Sequence, residues 1–188
     1  ALLDSIDKMM AQHLPPEEVR RRDQAHEPPD FMLKHYADLG LLAIPFPESY
    51  GGLGGEWQTV VLAEERLGYH AAMAASLLGT TIGFGGMSVF TYGSEEQKKA
   101  LLPKIIAGEL RFSLGLTEPG AGTDAGALIT RARRGDGGWI VNGRKTWISG
   151  ADEADYIVTA CRTTEGSKGN RGISMLAVPR SADGIHMT

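Results

Sequence analysis

Cysteine is almost absent, since Cys161 is the single one in 188 residues. One cysteine cannot close an internal disulfide, and without a C-x-x-C pair there is no thiolate metal clip. The expectation is a reducing, cytoplasmic setting, with Cys161 packed as a small hydrophobe inside its apolar run. No long run of like charge is present either. Lys and Arg number 19 against 23 Asp and Glu, a formal net charge of -4, so nothing calls for nucleic acid or an anionic membrane as partner. Long hydrophobic runs are lacking as well. Glycine or a charge interrupts each candidate, and no membrane span is expected. The first residues lack a basic patch followed by an apolar core, which gives no signal peptide.

What is present suits a folded chain, with 42% hydrophobic and 22% charged residues, too apolar for disorder. The first half reads as helices. Leu2, Leu3, Ile6, Met9 and Met10 recur at helical spacing up to Pro15 and Pro16. Residues 17–26 are strongly charged, a short exposed helix or a solvated connector. Asp30 is a candidate N-cap for a helix over 31–39 that Gly40 stops. Residues 41–45 read as extended, followed by a loop through Gly51, Gly52, Gly54 and Gly55. Another helix is expected over 56–68. Residues 71–92 are small and apolar, hence buried on most sides, and their glycines read either as close packing, a kink or room for a ligand, or as a break near Gly83. Ser94 and Gln97 form a capping box opening a helix over 95–107 that Gly108 closes, with Leu101, Leu102, Ile105 and Ile106 inward.

After Gly108 the pattern changes to short strand-like runs at 111–116, 127–134, 139–141, 145–148, 156–161 and 173–178. Hairpin signals lie at Gly135–Gly138 and, most strongly, at Asn142-Gly143. Residues 163–171 read as a polar loop. Helices followed by strands argue for two domains, 1–109 all-α and 110–188 an antiparallel, barrel-like β domain, together an α+β multidomain fold. The last residues, 184–188, start what reads as a further strand. An open edge there calls for more chain or a covering partner.

One stretch concentrates chemistry. The run Phe112 to Leu116 ends at Thr117-Glu118-Pro119-Gly120-Ala121-Gly122-Thr123-Asp124, where glycines permit close approach and several N–H groups can converge on an anion such as phosphate. A plain surface turn has the same composition.

This stretch with Leu116 before it, followed by Asn142-Gly143-Arg144-Lys145-Thr146-Trp147-Ile148-Ser149-Gly150, resembles the acyl-CoA dehydrogenase pattern. The upstream Pro45 to Gly52 and Tyr92 to Lys98 segments fit it too, so the resemblance covers essentially the whole chain. It implies FAD between the β domain and a C-terminal helical bundle that these residues do not include. Cofactor contacts would come from Leu114, Leu116, Thr117, Gly122, Thr123, Trp147, Ile148 and Ser149. Leu116 and Thr117 would address the pyrimidine end of the flavin, and Trp147 would pack on its ring, where the residue type alone also fits sheet core. Ser149 would hydrogen-bond near flavin N5, and Thr123 would sit by the pyrophosphate or the acyl-CoA. Thr80 and Phe84 would line the acyl pocket.

The resemblance further implies α,β-desaturation of an acyl-CoA thioester in fatty acid metabolism. An electron-transfer flavoprotein or similar acceptor and a homotetramer come with it. The base that removes the α-proton would be a glutamate of the absent bundle. No catalytic residue is therefore expected in this chain, which is expected to be inactive alone. Glu118 is not the family's base, and Asp124 is expected to cap the turn. Two rival readings are a flavin-dependent oxidase or monooxygenase on the same scaffold, and a non-catalytic binding or assembly module. No metal ligands are expected.

Overall fold

A computed structural model describes all residues, 1–188. The chain divides into two compact units, Ala1–Arg111 and Phe112–Thr188.

The first unit is helical. Helix α1 (Leu2–His13) buries Ile6 and Met10, one turn apart, while Leu3 stays exposed. Helix α2 (Pro16–Ala25) buries nothing and is laced by Glu18 to Arg21 and Arg22. In α3 (Met32–Asp38) the N-cap is Phe31, and no side chain caps it. The Asp30 carboxylate pairs with Arg111 instead. A charged partner with five donors outcompetes one backbone N–H for that carboxylate. Residues expected to be extended form a 3₁₀ turn, Leu41–Ala43, entered through Gly40 at φ 77°. The glycine loop folds back on it by Leu53 N–H to the Ala43 carbonyl and Gly55 N–H to the Ile44 carbonyl.

Helix α4 (Trp57–His70) buries Val60, Ala63 and Leu67. From Ala72 to Tyr92 the chain stays helical, which sets aside the alternative of a break near Gly83: α5 (Ala72–Gly79), a π-helical stretch (Thr80–Gly86) and α6 (Met87–Tyr92). Two of its glycines serve close packing. A Cβ on Gly79 would meet the Glu64 carboxylate at 2.2 Å, and one on Gly86 the Phe46 ring at 2.4 Å. Gly83, by contrast, has nothing within 4 Å of such a Cβ. This 21-residue stretch, with an 18-residue window of mean hydropathy 1.4, does reach membrane-spanning length, correcting the expectation from the glycine interruptions. Here the helix packs within the unit against α3, α4 and α7 (Glu95–Ile106). The capping box that opens α7 is present in both directions, Gln97 N–H to Ser94 Oγ and Ser94 N–H to Gln97 Oε1. Of the four residues expected inward, Leu102 and Ile105 are fully buried and Leu101 and Ile106 partly so.

The second unit is a mixed sheet, not the antiparallel barrel expected. Its strands are β1 (Phe112–Gly115), β2 (Arg131–Gly135), β3 (Gly138–Asn142), β4 (Tyr156–Arg162) and β5 (Ile173–Pro179), in the order β1-β4-β2-β3, with β5 also on β4. β1 and β4 run parallel over their length, and β2 meets β4 parallel at Arg131 and Arg162. Only β2–β3 and β4–β5 are antiparallel. The parallel β1–β4 pairing follows from the long connection between them, which carries the β2–β3 hairpin. A tight turn can only reverse the chain. The hairpin at Asp136-Gly137 is present, with Gly137 at φ 84°.

The strand expected over 127–134 forms only from Arg131 onward, as β2, and the one expected over 145–148 does not form, both for reasons of hydrogen bonding. Residues 127–130 stay out of the sheet because the Ile129 and Thr130 N–H groups donate to the Glu118 carboxylate. Residues 145–148 form no strand. Thr146 N–H goes to the Thr117 carbonyl, and Trp147 turns left-handed at φ 59°. Asn142-Gly143 is accordingly no hairpin turn. Gly143 is needed for another reason, since its Cβ would lie 2.2 Å from Thr130 Oγ1.

Candidate functional site

The turn after β1 closes on itself by a reciprocal pair, Glu118 N–H to the Ala121 carbonyl at 2.9 Å and Ala121 N–H to the Glu118 carbonyl at 3.1 Å. That leaves Pro119 and Gly120 at the tip. The N–H groups of Gly120, Gly122, Thr123 and Asp124 donate to no protein acceptor, and Gly120 and Gly122 have open space where a Cβ would stand. This is the geometry of an anion cradle. Asp124, expected from sequence to cap the turn, stands at the N-cap of the 3₁₀ turn Ala125–Ala127 but serves it through its backbone carbonyl only, its side chain making no cap bond.

Behind the turn the side chain of Glu118 is 2% exposed and accepts from three donors: Ile129 N–H at 2.6 Å, Thr130 N–H at 2.9 Å and Lys145 Nζ at 2.8 Å. Burial pushes its carboxyl up. The backbone donation from Ile129, the Lys145 ammonium and Thr130 outweigh that and hold it at about 2. Lys145, 8% exposed, also donates to the Leu116 carbonyl at 3.0 Å. With Thr146 N–H on the Thr117 carbonyl at 2.9 Å, the two motif stretches are bound together. Ser113 Oγ adds bonds to the Ser149 and Gly150 carbonyls, each at 2.9 Å.

The structure thus brings together Leu114, Leu116 and Thr117 at the end of β1 with Trp147, Ile148 and Ser149. Leu116 is half-buried, its side chain packed on the Ala121, Leu128 and Ala160 core and its carbonyl accepting from Lys145. Trp147 is 90% exposed, which removes the sheet-core alternative. Gly122 and Thr123 lie exposed on the turn. Thr80 and Phe84 belong to the helical unit, on its π-helical stretch, half-buried and exposed respectively. Beside them Thr81 is fully buried with its hydroxyl unpartnered. Sequence reasoning read Gly143 as a hairpin residue, Lys145 as part of a strand and Glu118 as a turn residue, and gave none of them a place in the site. The signal available was two oppositely charged side chains inside otherwise apolar or glycine-rich motifs.

A flavin fits one wall built this way: a solvent-facing indole, a cradle of free N–H groups, and the Thr117, Thr123 and Ser149 hydroxyls, none of them bonded to another protein group.

Known proteins match the chain along nearly its whole length. Residues 1–109 match the acyl-CoA dehydrogenase N-terminal domain, and residues 113–188 the middle domain. A probable acyl-CoA dehydrogenase of Bacillus subtilis, YngJ, is 36% identical over 166 residues, covering 88% of this chain and 44% of that protein. The caffeyl-CoA reductase-Etf complex subunit CarC of Acetobacterium woodii is 34% identical, over 88% of this chain and 43% of its own. A glutaryl-CoA dehydrogenase from Mycobacterium smegmatis in complex with FADH2 superposes with a TM-score of 0.86 at 28% identity, over 97% of this chain and 45% of that one. The chain spans less than half the length of these relatives.

Proposed function

Since this chain belongs to the acyl-CoA dehydrogenase family, we propose that it forms the N-terminal and middle domains of an FAD-dependent acyl-CoA dehydrogenase. The observation carrying this reading is Trp147, 90% exposed at φ 59° on a stretch anchored to the glycine turn. An indole held out to solvent at the cost of a left-handed backbone suits a cofactor face better than a core. FAD, when bound, supplies the acceptor for the β-hydrogen leaving the thioester as hydride.

The roles of the chain's own groups follow from their placement. Trp147 and Ile148 give the flavin ring an apolar wall. Ser149 and Thr117 give it fixed hydroxyl donors, with Leu114 and Leu116 beneath. Gly122 and Thr123 present N–H and hydroxyl groups to a phosphate or to the acyl-CoA. Thr80 and Phe84 line the acyl-chain side. Glu118 is no base: its carboxylate is ionised, buried and already accepts three hydrogen bonds. The α-proton is instead taken by a glutamate outside these 188 residues. The single cysteine supports a cytoplasmic enzyme, and the similarity to CarC, whose name carries an Etf complex, supports an electron-transfer flavoprotein as acceptor. A homotetramer and a role in fatty acid metabolism complete the reading.

Anaerobic titration of the full-length protein with a panel of acyl-CoA thioesters tests it. Bleaching of the flavin absorbance is expected with at least one thioester, and none with any would sink the dehydrogenase reading. Rapid reoxidation by air would favour an oxidase, and failure to take up FAD a binding module. The likeness to a caffeyl-CoA reductase supports a second reading, reduction of an α,β-unsaturated thioester. Reoxidation of the reduced flavin by an enoyl-CoA, faster than its bleaching by the saturated thioester, would favour it.

A further inference from the structure

The Glu118–Lys145 pair is the most enclosed charge pair in the chain, with side chains 2% and 8% exposed, and the proposed chemistry uses neither group. Burying two charges is not a route to extra stability, because apolar residues of the same volume do as well or better. What such a pair does well is fix one arrangement among several. Here it ties three separate backbone points. The Glu118 carboxylate holds Ile129 and Thr130, and Lys145 Nζ holds Leu116. One residue further on, Thr146 N–H holds Thr117. Trp147 follows at once, with no burial of its own to place it. Gly143 completes the arrangement. Its missing Cβ lets the chain pass against Thr130, two residues before Lys145 reaches Glu118.

We propose that Glu118 and Lys145 are positioning residues for the cofactor wall. Their ion pair sets the distance and angle between Thr117 on the turn and Trp147 on the later stretch. The inference rests on the flavin reading above. It does not require either residue to touch the cofactor. This wall is held by the ion pair, the close approach at Gly143 and the Thr146 and Ser113 hydrogen bonds, not by strand pairing, since residues 143–149 belong to no strand.

The test uses the full-length protein with three variants, Glu118→Gln, Lys145→Met and Gly143→Ala, plus the double variant of the first two. Three quantities are read: the FAD dissociation constant, the visible spectrum of bound flavin, and amide exchange at Thr146. Each single charge variant is expected to weaken FAD binding at least tenfold, shift the spectrum and speed Thr146 exchange. The double variant, with no unpaired buried charge, is expected to recover part of the affinity lost in Lys145→Met. Gly143→Ala keeps both charges and displaces the stretch, and is expected to give the same three changes, so it decides the matter where a charge variant does not fold. Faster Thr146 exchange with unchanged FAD affinity and spectrum overturns the proposal, leaving the pair a structural tie only. Weaker binding with Thr146 exchange unchanged overturns it as well. A wild-type protein that takes up no FAD removes the flavin reading itself, a result distinct from either.

Discussion

The two units are held by different means. The helical unit is packed by apolar side chains with no accessible surface, among them Ile6, Met10, Tyr36, Leu42, Phe46 and Leu67, and Thr81 is its one buried polar residue outside those apolar types. Even Tyr36 is tied down, its hydroxyl donating to the Ala74 carbonyl at 3.0 Å. The sheet unit has the four others, Ser113, Glu118, Thr130 and Thr159. Apolar packing is non-directional and tolerates many arrangements of similar volume. Buried polar groups accept few arrangements, because each unmade bond leaves a desolvated donor or acceptor. The unit with the proposed cofactor wall is thus the one whose geometry is most tightly specified by direction.

This contrast can be tested in order of effect. Phe46→Ala removes a fully buried ring in the helical unit and should cost about 3–5 kcal/mol in chemical denaturation. A loss below 1 kcal/mol would mean that unit is not held by its apolar core.

Acid should act on the sheet unit through Glu118. Its carboxyl is held at about 2 against an ordinary value of 4.5, so its contribution is fully present above about pH 4.5 and is lost as pH falls towards 2. The stake is on the order of 3 kcal/mol. Amide exchange at Ile129 and Thr130 should rise over that window, and a flat profile would contradict the network. Asp7 in the helical unit is held at about 2 as well, by the Arg66 and then the His70 hydrogen bonds. It is about one-third exposed, so the same acid should loosen the α1–α4 contact less.

Ser94→Ala breaks the capping box of α7 and should cost about 1 kcal/mol, read as a lower thermal midpoint. An unchanged midpoint would show that α7 is held by Leu102 and Ile105 alone. The smallest effect on stability is expected at Trp147→Ala, within about 0.5 kcal/mol, because the side chain buries almost nothing. The same change should shrink the loss of Trp fluorescence on FAD uptake by the share that belongs to Trp147, leaving that of Trp57 and Trp139. A large loss of stability there would mean the indole is structural.

The helical half was largely legible because its signals are local. Ile6 and Met10 a turn apart, the Ser94–Gln97 box and the Gly40 stop each act within a few residues. Asp30 shows the limit, since its preference for capping was overruled by Arg111, 81 residues away. In the sheet half the Asp136-Gly137 hairpin was legible for the same reason. Asn142-Gly143 misled, as the dipeptide suits a hairpin turn and a close backbone approach equally well.

The sequence alone determined the helix-then-strand order, the amphipathic faces of the helices, the family likeness and the residues offered for a cofactor. Periodicity and short motifs depend only on neighbouring residues. Only the tertiary structure decided that the sheet is mixed, that residues 145–148 leave it, and that Trp147 faces solvent from a left-handed backbone. Those outcomes hang on where buried donors and acceptors 27 to 29 residues apart find each other, as Lys145 finds Glu118 and Leu116. No local pattern encodes such a pairing, because its free energy is set by the desolvation of both partners at once.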